Sequence, residues 1–493
     1  MPAAYQPTKG VPAQTLLERL KIPEAIPGAK ARPIIIPPRD PNMPSVRYSV
    51  IDKIFPNVPG PQVMVPLPLA PDQRRMTLAE LHEIALANNP TLVQVQAAIT
   101  SFYGLAVQAG THPNPVVGYE ADTVNSSGTP NYQGIYGTQQ IKTAGKLNLA
   151  RAVGNVDVMN AQLNVRKTRV QVMSQVNMGY YAVLVAQENV RISDALVRFT
   201  NEVYRIQVEK LREGEATNYE PAQLRSLAVQ ARSALVQSQN RYISAWKQLA
   251  ALMGTPNLPP VELDGHADMP VPELNFDQAL SRLLTIHPDV AAARNSESQA
   301  RIQLQLEKIT PVPDVFVYGA FQKDFTTPGQ ARTSYNMQVG VPLPLFDRNR
   351  GRIVNQQGDL IQATQQVRIV QNNLTAQMAD AFERYQTNRV QLDFYRDQIL
   401  PDLARAYKGI YERHQQESAE VGFGDVIVAQ QNLATAIGVY ISTLTAQWQG
   451  LTDLANLLQV EDLNELYNLP QQPAPMPPAE EVPPPAPVQG GRQ

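Results

Sequence analysis

The sequence predicts a mainly α-helical chain with a small β part, laid down twice from one repeating unit. Three observations predict it. No proline occurs between Pro130 and Pro221, and inside that stretch Val176, Val183, Val190, Val197, Tyr204 and Leu211 recur every seven residues, the spacing of a long supercoiled helix. Tyr335, Met337, Val339 and Val341 interleave with Asn336, Gln338, Gly340 and Pro342, the alternation of a half-buried strand. The pattern of TLAELHEIALANNP (77–90) returns in NFDQALSRLLTIHP (275–288), 198 residues later.

The first element is a tail. Of the 42 prolines, 16 fall in residues 1–75 and nine in 470–493. Both ends therefore read as extended, largely disordered tails (1–75 and 468–493). The opening residues lack a basic region followed by an apolar core, so no signal peptide is visible; the expectation is an omitted start or processed leader, not a cytoplasmic protein. No run of 18 apolar residues marks a membrane-spanning helix.

The core then reads as two repeats, 76–270 and 271–467. The offset of 198 that joins the opening helices also carries Pro113 and Pro115 onto Pro311 and Pro313. Later an offset of 205 carries Glu220 onto Asp425 and LAALMG (249–254) onto LANLLQ (454–459). Ordered matches over nearly 200 residues indicate duplication. Each repeat opens with a helix (about 77–109 and 275–309) and a proline-marked break. Two strands follow, at 116–123 and 132–141 in the first repeat and around 315–322 and 335–342 in the second, with NSSG (125–128) and TTPG (326–329) as turns. A very long helix comes next; 147–213 would extend on the order of 100 Å at 1.5 Å per residue. Gly179, Ala186, Ser193 and Thr200 form a line of small residues beside its heptad stripe, which allows a close neighbour on a second side. In the second repeat Met378, Tyr385, Leu392, Ile399 and Ala406 keep the heptad, and Pro401 is expected to kink the helix or end one segment there.

Composition excludes as much as it suggests. Lys plus Arg is 42 and Asp plus Glu is 44, a balance that argues against nucleic acid as a partner. Cysteine is absent, which removes disulfides, thiolate metal sites, a Cys nucleophile and lipidation on an N-terminal Cys. Five scattered histidines show no paired metal-ligand spacing; the AGK at 144–146 lacks the spacing of a phosphate loop. His287 stands where the first repeat has Asn89, so it reads as a helix-end residue. No catalytic constellation is present, and the expectation is no enzyme, no cofactor and no resident metal.

Each strand is about ten residues, the length a tilted bilayer-spanning strand needs. Four strands cannot close a barrel, and an open edge cannot face lipid. If these are membrane strands, several chains must pool them. The alternative is a small soluble sheet capping a helical scaffold, and periodicity does not choose between the two.

These strings, taken together, resemble the TolC-like outer-membrane efflux proteins, over roughly residues 76–465. The carriers are the doubled helix–strand–strand–helix–helix unit, ALANNP (85–90) with HPNPVVGYEAD (112–122), and VPLPLFDRNRGRI (341–353) with its counterpart QQIKTAGKLNLAR (139–151). Within the family they look like the CzcC-like channels of heavy-metal cation efflux. The resemblance implies a homotrimer: a 12-strand barrel in outer-membrane lipid and a 12-helix periplasmic tube. That tube would dock on a periplasmic adaptor and an inner-membrane pump, with the channel a passive conduit. Channels for organic compounds or secreted proteins are the alternative within the family.

The family's Gly-containing turns, which meet the adaptor, map here onto Glu213, Gly214 and Glu215, loosely, and onto Val421, Gly422 and Phe423, more closely. Glycine permits a tight reversal, and an exposed apolar residue beside it offers a docking knob. The same turns carry Glu220, Glu417, Glu420 and Asp425, which in a trimer would form carboxylate rings that favour cations. For each acid the competing role is a solvated helix end, with Asp425 as a helix cap.

Overall fold

A computed structural model describes residues 27, 29, 31–38, 44–58, 75–125, 128–416 and 421–467. The elements follow one another as α1 (Pro44–Ile54), α2 (Leu78–Asn88), α3 (Pro90–Ala109), β1 (Val116–Asp122), β2 (Tyr132–Ile141), α4 (Lys146–Glu213) and α5 (Glu220–Leu252). The second repeat gives α6 (Phe276–Ile286), α7 (Pro288–Ile309), β3 (Val315–Asp324), β4 (Arg332–Gly340), α8 (Arg350–Phe394), a π-helical turn (Tyr395–Ile399), α9 (Leu400–Gln416), α10 (Phe423–Leu457) and α11 (Asn464–Tyr467). The long helix and four strands stand close to where periodicity puts them, and α4 runs unbroken for 68 residues.

Two corrections concern helices. The opening helix of each repeat is two helices. Asn89 (φ −70°, ψ 117°) and His287 (φ −65°, ψ 129°) are extended, because the proline that follows pushes its predecessor out of the α region. Each of these residues ends one helix and caps the next: Asn89 Oδ1 accepts from the Thr91 amide at 2.9 Å, and His287 Nδ1 from the Asp289 amide at 3.1 Å. The second correction lies in the stretch read as a disordered tail. Residues 44–54 form α1, with Ile51 and the adjoining Phe55 buried.

The chain divides into two compact units. The smaller contains Met1–Met64 and Val190–Ser238, hence α1, the last part of α4 and the first part of α5. Val197, Tyr204, Leu211, Leu224, Ala228 and Leu235 are among its buried side chains from the helical arms, the first three at heptad positions.

The larger unit holds the sheet, in the order β1-β2-β3-β4, antiparallel throughout. There α8 packs against α6, α7 and α10, and α9 against α10. Met378, Tyr385 and Leu392 are buried on α8 as their heptad spacing requires. Pro401 lacks an amide proton and would leave a carbonyl four residues back unpaired. The chain widens just before it, where the Leu400 amide reaches Tyr395 O, five residues back.

The segment that joins α5 to α6 is held by aromatic side chains. Tyr180 donates to Asp264 O and Tyr385 to Pro272 O; these tyrosines lie 205 residues apart, the offset of the duplication. Trp246 Nε1 donates to Leu258 O at 3.0 Å and Trp448 Nε1 to Ala267 O at 2.7 Å, while the Trp448 ring stacks on Tyr181 with centroids 3.4 Å apart. The duplication also repeats a helix stop. Gly254 (φ 77°) and Gln459 (φ 54°) both carry left-handed Schellman turns, closed by Thr255 N to Ala250 O and Val460 N to Ala455 O, each 2.9 Å.

Candidate functional site

The sheet has two unlike faces. Register places Val117, Tyr119, Ile135, Val317, Phe321, Tyr335, Met337 and Val339 on one side, because alternate residues share a face. The middle of this side is apolar and bare, with Gln133, Lys323 and Thr333 at one end and Gln139 toward the other: Tyr335 is 78% exposed, Met337 76% and Val339 62%. The opposite side carries Glu120, Tyr136, Tyr318, Gln322, Asn336 and Gln338. There Tyr318 donates to Glu120 and stacks with Tyr136, centroids 5.7 Å apart. The Tyr136 ring also lies over Gly118, where an added Cβ would come within 2.6 Å of it. Among the described residues β1 and β4 pair on one side only, so each presents a row of unsatisfied backbone groups. In most antiparallel sheets one face packs on a core and the polar face is wetted; here the apolar face is the uncovered one.

Where β2 turns into α4, Ala144 (φ 56°) and Gly145 (φ 74°) reverse the chain. The reversal aims two lysines at Asp314, the residue before β3. Lys142 Nζ and Lys146 Nζ each approach an Asp314 oxygen at 2.8 Å, and the Thr143 amide donates to Oδ1 at 3.3 Å. Burial alone would raise the Asp314 pKa, but the bonds from Lys142, Lys146 and Thr143 outweigh it and bring it down to about 2. Thus the AGK string that lacks a phosphate loop's spacing serves a carboxylate of the other repeat.

The first Gly-containing turn lies in the smaller unit. Gly214 takes φ 84° and forms a Schellman stop: its amide donates to Leu211 O at 3.2 Å, and that of Glu215 to Lys210 O at 2.8 Å. Glu213 and Glu215 are exposed; Glu220 is half-buried and accepts from Gln207 across the two arms.

The second turn lies in the larger unit. Gly422 is the N-cap of α10 (φ −68°, ψ 150°), and its amide donates to Asp425 Oδ2 at 3.0 Å. Asp425 therefore caps the returning helix, half of a capping box. His414 Nδ1 donates to Val421 O at 3.0 Å, and its ring lies 6.0 Å from that of Phe423. Val421 and Phe423 are both half-buried. Further along α9 and α10, Tyr407, Val426 and Ala429 form a small core.

The structure thus gathers Glu213, Gly214, Glu215 and Glu220 in one turn, and Val421, Gly422, Phe423 and Asp425 in another. Glu417 and Glu420 lie outside the described residues. Sequence reasoning missed Asp314 with its two lysines; the only signal was a lone Asp after the Pro311–Pro313 pair, and nothing in its spacing pairs it with residues 172 and 168 positions away. It also missed Arg47 and Asp52, which stand on α1 in the stretch read as a tail.

Comparison with known proteins agrees with this architecture. Residues 81–255 match the family model described as Outer membrane efflux protein. The cobalt-zinc-cadmium resistance protein CzcC of Cupriavidus metallidurans is 23% identical over 389 residues, covering 78% of this chain and 90% of CzcC. The pyoverdine export outer membrane protein OpmQ of Pseudomonas putida is 24% identical, covering 58% of this chain and 66% of OpmQ. Among solved structures, VceC from Vibrio cholerae superposes with a TM-score of 0.64 at 17% identity, covering 78% of this chain and 96% of VceC. CusC gives 0.64 at 16% identity, covering 86% and 99%. At those identities the superpositions speak for the fold.

Proposed function

We propose that this chain belongs to the outer membrane efflux proteins and is the passive channel component of a tripartite efflux system, a reading supported by the family match, by CzcC and by the TolC-like fold. Three copies pool their strands into a 12-strand barrel. The observation that carries this reading is the two-faced sheet with open edges. Its bare apolar side is matched to lipid, its polar side to a wet lumen, and β1 and β4 to the edges of neighbouring copies. A soluble sheet would instead leave Tyr335, Met337 and Val339 in water. Fully burying such side chains is worth roughly 1.5–3 kcal/mol each, a strong drive toward a cover.

The turns at Glu213, Gly214 and Glu215 and at Val421, Gly422 and Phe423 are the docking ends for a periplasmic adaptor, which links the channel to an inner-membrane pump. Heavy-metal cations are the substrates this reading favours, supported by the match along most of CzcC. Glu220, Glu417, Glu420 and Asp425 are the acids proposed to line the narrow end and favour cations. The OpmQ match supports a second substrate class, organic compounds.

The test has two arms. Size determination in detergent with negative-stain imaging should find a hollow trimeric cylinder; a monomer soluble without detergent defeats the channel. A deletion strain should lose growth on zinc, cobalt or cadmium and keep it on dyes and detergents; the reverse pattern assigns organic cargo.

A further inference from the structure

The segment that proline content assigns to a tail is bonded to both arms of the α4–α5 hairpin. Arg47 Nη2 donates to Leu211 O at 2.8 Å, and its Nη1 to Pro37 O at 3.2 Å. Leu211 O belongs to the last turn of α4, where it also accepts from the Gly214 amide, and a guanidinium there complements the helix dipole. Asp52 of α1 pairs with Arg212 on the same turn. Pro56 O accepts from Tyr204 at 3.1 Å. On the other arm, Arg225 Nη1 donates to Ile54 O at 3.0 Å. Between these polar ties Ile51 is fully buried and Phe55 is 4% exposed. Two apolar anchors and four polar ties, spread over both arms, are more than an incidental surface contact supplies.

The two turns are thus fixed by different means. That at Gly422 is fixed locally, by Asp425, His414 and the core around Tyr407. That at Gly214 has its Schellman stop and the Gln207–Glu220 bond, and in addition a segment about 160 residues away in sequence.

We propose that residues 44–58 are a built-in brace that seats on the α4–α5 hairpin and presets the turn at Glu213–Glu215 for docking. This rests on the reading of that turn as a docking end. The brace lowers the entropy that a partner would otherwise have to remove on binding, and it makes a part of the N-terminal stretch a component of the channel's working end.

The absence of cysteine makes the test clean. In the full chain in detergent, Asp52→Cys with Arg212→Cys should be joined by a short bis-maleimide. Thiols that both react with a monofunctional maleimide yet never cross-link would overturn the brace. Hydrogen exchange provides the second arm. Ile51→Asp, or the milder pair Arg47→Gln with Asp52→Asn, should speed exchange of amides 205–226 at least tenfold and leave amides of the sheet and of α10 unchanged. Unaltered exchange in both variants overturns the proposal. Conductance in planar bilayers separates the two readings: cross-linking and exchange as expected without conductance keep the brace and defeat the channel, and normal conductance with unaltered exchange does the opposite.

Discussion

Asp314 and His287 show how single residues set acid sensitivity: both are held deprotonated, one as a charged carboxylate and the other as a neutral ring. The Asp314 carboxyl is held down to about 2 by Lys142, Lys146 and the Thr143 amide, in spite of burial. A depressed carboxyl contributes stability that is present above its unfolded value near 4 and is lost as pH falls toward 2. Asp314→Asn should also leave both lysines without their carboxylate partner. The pH-dependent part of that loss follows from the depressed carboxyl and is about 2 kcal/mol, and a drop in melting temperature at pH 7 that vanishes near pH 2 would verify it. His287 is buried, and desolvation lowers its pKa, with Asp289 opposing and Lys167 assisting. Its Nδ1 must stay unprotonated to accept from the Asp289 amide. A base with a lowered folded value contributes fully above its unfolded value near 6.5, and stability falls as pH drops below that toward the depressed value. His287→Asn copies the cap that Asn89 provides in the first repeat, so it should keep the helix and remove this part of the loss between pH 7 and 5. His287→Ala should cost about 1 kcal/mol at pH 7, the worth of an N-cap. Melting curves at the two pH values distinguish the variants.

At the scale of elements, the stop at Gly254 and the faces of the sheet are the sharpest tests. Gly254 sits at φ 77°, and an added Cβ would lie 2.4 Å from Asn88 O. Gly254→Ala therefore combines an unfavourable left-handed backbone with a backbone clash, and should destabilise by more than the ~1 kcal/mol that the conformation alone costs; thermal or denaturant unfolding would show it. On the sheet, Met337→Lys places a charge on the bare apolar side, and Gln338→Lys places one on the polar side. If lipid covers the first, it should cost about 2–4 kcal/mol near the bilayer midplane. The yield of heat-modifiable oligomer in the outer-membrane fraction should fall for Met337→Lys and hold for Gln338→Lys. These elements were legible because periodicity writes them directly: the heptad from Val176 to Leu211 survives in the fold, and the alternation from Tyr335 survives as far as Val339, with the strand ending at Gly340. What stayed hidden depends on tertiary placement. Proline density cannot show that Ile51 and Phe55 find a buried seat. A polar residue before a proline reads as a helix end, yet whether the next helix starts at once depends on the cap it makes, as Asn89 and His287 do. Asp314 carries no local mark of the two lysines it meets across the repeats. For the turn residues, glycine announced the reversals, but whether Phe423 stands free or rests near His414 was a matter of packing.

At the scale of the whole molecule, the proposed channel makes the unpaired edges set the assembly. A strand edge in a membrane must be paired, since each unsatisfied backbone group costs several kcal/mol there. β1 of one copy can satisfy β4 of the next only if the contact is head-to-tail, and a head-to-tail contact either closes into a ring or grows without limit. Four strands per copy make closure at three the smallest ring that exceeds the eight strands of small barrels. The chain has no cysteine, so one engineered thiol on each edge, Tyr119→Cys on β1 and Met337→Cys on β4, can be joined only to another engineered thiol. With a flexible bis-maleimide on intact outer membranes, covalent dimers and then trimers should accumulate, and the ladder should stop there. Each single variant has a thiol on one edge alone and should give no trimer. A ladder that continues past three would mean open growth, and a doubly substituted chain that reacts with a monofunctional maleimide yet stays monomeric would mean that β1 and β4 never meet.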